Sequence, residues 1–110
     1  MLETNMDNAA ALNNYFWDVI DPDLKGEVDP RVAKLALKAA RRAVELKEEE
    51  AGYLDTLAAA LFRTGDAAAA VATQEKAIAV LKDKHKDLTD ADLGQYKDHL
   101  ELYRKKAAEN

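Results

Sequence analysis

Apolar residues recur along this chain at helical spacing, with no sustained alternation of the strand kind. Leu54, Leu57, Ala58 and Leu61 fall at i, i+3, i+4 and i+7, which predicts a helix over about Ala51 to Thr64. Gly65 is a suitable terminator, because it tolerates the left-handed backbone that ends a helix. Asp66 then caps a helix running to about Asp83, with Ala67, Ala70, Val71, Gln74, Ala77, Ile78 and Leu81 inward. Upstream, Asp29 and Pro30 suit the cap and first position of another helix. Its predicted buried stripe is Val32, Leu35, Ala36, Ala39, Ala43 and Leu46. An earlier helix is predicted from about Asn5 to Ile20, with Leu12, Phe16 and Val19 on one face. It stops at Asp21-Pro22, since a residue before proline is pushed out of the helical region. A last helix is predicted to open at Thr89, with Leu93, Tyr96, Leu100 and Tyr103 in one stripe and Gly94 as a weak point. Five helices follow from the pattern.

Two of these helices match at an offset of 34 residues: Ala36, Ala40, Arg42, Ala43, Val44 and Leu46 correspond to Ala70, Gln74, Lys76, Ala77, Ile78 and Val80. A period of that length belongs to two-helix solenoid repeats, whose helices approach closely only where side chains are small. Ala58 and Ala70 are therefore expected to meet near a hairpin turn, with Ala77 admitting the next helix.

Leu54, Leu57, Ala58, Leu61, Gly65, Asp66, Ala70, Lys76 and Ala77 together resemble the tetratricopeptide repeat. The match spans Ala51 to Lys82, and departs from the pattern where Gln74 replaces an aromatic and Lys82 a proline. A degenerate repeat covers 9–46, with its first helix offset by 42 residues, so that the extra eight lie in the loop over 21–29. Phe16 stands there in the place of Ala58, which implies a splayed first hairpin. The texture of the whole chain is similar to C-terminal repeat modules of bacterial proteins, including thioredoxin-like ones, with 88–107 as the capping helix. The resemblance implies an all-α fold of antiparallel hairpins, one domain over 1–110, and a short right-handed superhelix. It also raises the prospect that the sequence is a fragment of a larger protein.

In that family the first helix of each hairpin lines a concave groove. The resemblance therefore implies partner contacts at Asn13, Asn14, Trp17, Ile20, Asp55, Thr56, Ala59, Phe62 and Arg63. Trp17, Phe62 and Arg63 are residue types in which binding energy concentrates. Each also has a structural reading: Trp17 covering the first loop, Phe62 packing on the last helix, Arg63 pairing with Asp66 or Glu27. Some members grip acidic C-terminal peptides with lysine and asparagine. Asp55 and Ala59 hold two of those places here, so chaperone C-termini are not expected ligands.

Composition narrows the chemistry. There is no cysteine and no serine, so neither a thiol nor the commonest hydroxyl nucleophile is present. The formal net charge of -5 argues against nucleic acid as a partner. No apolar run approaches the roughly 20 residues that span a bilayer, and Met1 to Asn5 do not read as a signal peptide. His85 lies between Lys84 and Lys86 with no second ligand near it, and His99 reads as a partly exposed packing residue. The expectation is a non-enzyme without cofactor or metal, binding a protein or peptide, with a homodimer as a further state. The alternative is a structural cap or homo-oligomerisation element, because two hairpins are fewer than the roughly three repeats a solenoid needs. The sequence does not choose a compartment; the cytoplasm is slightly favoured, and the periplasm fits if the chain belongs to an exported protein.

Overall fold

The computed structural model describes residues 29–85, 87–89, 91 and 93–109. Within them lie four helices and no strand: α1 Pro30–Leu46, α2 Ala51–Arg63, α3 Ala67–Lys84 and α4 Gly94–Ala108. The helix expected over 5–20, with its splayed hairpin at Phe16, lies outside the described residues.

The start of α1 and the junction of α2 with α3 have local causes. Asp29 accepts a hydrogen bond from the Arg31 amide at 2.8 Å, and Pro30 takes the first helical position. α2 ends in a Schellman motif: the Gly65 amide donates to the Phe62 carbonyl at 3.1 Å, and the Asp66 amide to that of Leu61 at 2.9 Å. Gly65 has φ of 94°, in the left-handed region that penalises a Cβ. Asp66 immediately caps α3, its carboxylate accepting from the Ala69 amide at 3.1 Å. One short stretch thus closes one helix and opens the next, which forces α2 and α3 into an antiparallel hairpin.

α4 differs from expectation at its start. It begins at Gly94, past Thr89, with Leu93 at the cap and no capping side-chain bond. The Leu93 amide still reaches back to the Thr89 carbonyl at 3.3 Å, so a lone turn precedes the helix. Gly94 at that join costs roughly 1 kcal/mol of helix propensity relative to alanine, which favours the break.

The core is built on alanine. Ala36, Ala39, Ala40 and Ala43 of α1 cluster with Ala59 and Ala60 of α2, flanked by half-buried Leu37, Leu46, Tyr53 and Leu57. A second cluster joins Ala58 and Leu61 of α2, Ala70 of α3 and Tyr103 of α4. Ala58, Ala70 and Ala77 are all fully buried. The buried face of α1 is rotated from the predicted stripe: Ala33 and Ala40 are buried, Val32 is half-buried and Leu35 is 41% exposed. Small side chains, more than large ones, mark the inner face, because only they permit close helix approach.

Candidate functional site

The side chains with the most unusual surroundings meet where α2, α3 and α4 converge. Gln74 is fully buried on α3. Its Nε2 donates to Asp55 Oδ1 of α2 at 2.9 Å and to the Tyr96 carbonyl of α4 at 3.0 Å. Both neighbours are acceptors, so the amide has one sensible orientation. Its Oε1 is buried without a hydrogen-bond partner. His99 of α4, 1% exposed, brings Nδ1 to 3.3 Å from the same Asp55 oxygen. One carboxylate thus receives groups from two other helices. Tyr96 borders the cluster, and its phenol pKa is raised first by burial and then by the negative charges of Asp55 and Glu50.

This constellation holds helices together. The Asp55–His99 pair has acid–base elements; His99 is enclosed, and its ring is stacked with that of Tyr103 at a centroid distance of 6.3 Å. Among the described residues no three His, Cys, Asp or Glu side chains could hold a metal ion, and no helix is long and apolar enough to cross a membrane.

The predicted contact residues on α2 take different places. Thr56 is 2% exposed, and its Oγ1 donates to the Gly52 carbonyl at 3.0 Å. Ala59 is fully buried in the α1–α2 cluster. Asp55 points into the polar cluster and leaves 13% of its side chain exposed. Phe62 is half-buried against Tyr103, ring centroids 5.1 Å apart and tilted by 37°. The Arg63 guanidinium lies 5.8 Å from the Phe62 ring centre, a cation–π geometry, and remains half-exposed. Phe62 and Arg63 are therefore brought together, Asp55 joins His99 and Gln74, and Thr56 and Ala59 are covered. Asn13, Asn14, Trp17 and Ile20 lie outside the described residues.

His99 was expected to be partly exposed and is instead buried. A signal was present in Gln74: a glutamine at an inward position needs polar company, and it finds Asp55, whose carboxylate oxygen His99 shares, and the Tyr96 carbonyl.

No family model matches the chain, and no curated protein or solved structure shows significant similarity to it.

Proposed function

We propose that this chain is a tetratricopeptide-type helical scaffold that performs no chemistry of its own and binds a protein or peptide. The observation that carries this reading is the agreement between repeat positions and environments. Leu54, Ala58, Leu61, Ala70 and Ala77 are all buried, and Gly65 has the positive φ that the repeat's turn requires. A helical hairpin so specified, with α4 laid along it, is the kind of rigid frame on which partner-contacting side chains are displayed. In this proposal Arg63 over the Phe62 ring forms the described part of the contact surface. Trp17 and the two asparagines beside it complete the surface in this proposal.

A second reading draws support from α4. His99 and Tyr103 of that helix contact Asp55 and Phe62, so α4 covers part of the face that would otherwise meet a ligand. On this reading the chain is a terminal cap or a self-association element.

One experiment separates the two. Immobilised wild-type chain and a Phe62→Ala/Arg63→Glu variant, both shown by circular dichroism to be folded, are used to capture proteins from a lysate of the source organism. A partner held by the wild type and lost by the variant supports the scaffold. Capture of the chain alone, together with a dimer in sedimentation, supports the cap and sinks the scaffold reading.

A further inference from the structure

The outer face of α1 carries a charge pattern that helix stability does not explain. Arg31, Lys34, Lys38, Arg41 and Arg42 project from one side, opposite the buried alanines, and only Glu45 interrupts them. A helix is stabilised by acidic residues in its first turn and basic ones in its last. α1 has no acidic residue in the first and no basic residue in the last, and Arg31 and Glu45 sit at the wrong ends. Two of the cations are neutralised locally: Arg31 lies 3.6 Å from Asp29, and Arg42 lies 3.3 Å from Glu45. Lys34, Lys38 and Arg41 are exposed and have no ion pair among the described residues.

These three line a shallow depression of about 310 Å³ together with Leu37, Arg42 and Glu45. Its base is apolar and its rim cationic, and Leu35, 41% exposed, lies on the same outer side of the helix. The stripe from Arg31 to Arg42 is about 16 Å long at a helical rise, which matches about five residues of extended chain. Beyond it the chain turns through Glu48-Glu49-Glu50, all exposed, which would repel a continuing polyanion. A long nucleic acid or an anionic bilayer would have to pass over those carboxylates, whereas a short segment ends before them.

We propose that the outer face of α1 is a docking surface for a short acidic segment of a partner protein, with carboxylates alternating with apolar side chains. The carboxylates meet Lys34, Lys38 and Arg41, and an apolar side chain enters the depression over Leu37. This surface is separate from the Phe62–Arg63 face and goes beyond the scaffold reading.

The test is fluorescence anisotropy with a labelled peptide of alternating glutamate and leucine, and with its glutamine counterpart. The expected result is binding of the glutamate peptide alone, weakened as salt is raised. Lys34→Glu/Lys38→Glu/Arg41→Glu should weaken it about tenfold or more. The charge-matched Lys76→Glu/Lys82→Glu/Lys105→Glu variant should bind nearly as wild type. Equal loss in both variants would reduce the effect to net charge and overturn the proposal. Tighter α1-dependent binding to oligo-thymidine or to phosphatidylserine vesicles would overturn the assignment to a peptide. A salt-sensitive dimer in sedimentation that excludes the peptide would assign the face to a second copy. A much lower melting temperature for the α1 variant alone would assign it to the chain's own residues 1–28, which hold six carboxylates and one lysine. In each of these cases capture through Phe62 and Arg63 stands or falls separately.

Discussion

Gln74 Nε2 lies 2.9 Å from Asp55 Oδ1, and the same nitrogen bonds the Tyr96 carbonyl, so one amide spans three helices. Replacing Gln74 with alanine removes both bonds and opens space in a closed interior. A buried bond to a charged acceptor is worth roughly 1.5–3 kcal/mol, so Gln74→Ala should lower stability by at least about 2 kcal/mol. Urea unfolding followed by circular dichroism measures it. A loss below about 0.5 kcal/mol would mean that water replaces the amide without cost and that the tie is incidental. Asp55→Ala should cost a similar amount, and the double variant should cost less than the sum, because the two residues share one bond.

Gly65 gives a second test with a different cause. Beyond Gly65 and its two chain neighbours no heavy atom lies within 4 Å of where a Cβ would sit, so alanine meets no clash and any penalty arises from the backbone at φ 94°. Gly65→Ala should destabilise by about 1–2 kcal/mol. Gly65→Asn should cost less, because asparagine tolerates that region better. Equal losses for the two would point away from backbone conformation.

Close approach of α2 and α3 rests on Ala58 and Ala70. Ala58→Leu or Ala70→Leu should overpack the hairpin and cost about 1–3 kcal/mol. The exposed Ala72→Leu is the matched control and should fall within about 0.5 kcal/mol of wild type. Chemical denaturation of the three variants side by side decides the matter.

Tyr96 makes stability depend on alkaline pH. Its pKa is raised in the folded chain by burial and by Asp55 and Glu50, so the native state holds the phenolic proton more tightly than the unfolded state. That contribution is fully present below the ordinary value of 10.0 and is lost as pH climbs through the raised one. Unfolding free energy should therefore decline above about pH 10, and the decline should be shallower in Tyr96→Phe. Absorbance titration of tyrosinate should lose its late-ionising component in the same variant. An unchanged titration curve would contradict the assignment.

Much of the frame was legible in the sequence because it rests on local rules. Asp29 and Pro30 starting α1, and Gly65 and Asp66 joining α2 to α3, each follow from neighbours one to four residues away. What was not legible depends on which helix lies above. Leu35 was expected inside on apolar character, yet close alanine contact turned the face away from it. His99 reads from sequence as a partly exposed packing residue, and its full burial depends on Asp55, 44 residues away in sequence. The start of α4 differs because Thr89 carries a hydroxyl suited to a cap, while Gly94 weakens the helix before it becomes continuous. For the candidate contact surface, residue type singles out Phe62 and Arg63 as candidates, but it does not reveal that Thr56 and Ala59 are covered by packing.

The alanine seam along α1 sets an order of disassembly. All five side chains that α1 buries fully are alanine: Ala33, Ala36, Ala39, Ala40 and Ala43. Methyl groups give tight contact but little apolar area, so the helix is held mainly by its fit and by the flanking Leu37 and Leu46. The remaining helices are joined by leucines, by Tyr103 and by the Gln74 tie. Amide protons of α1 should therefore exchange with solvent through a partial opening that leaves α2, α3 and α4 intact, well before the molecule unfolds as a whole.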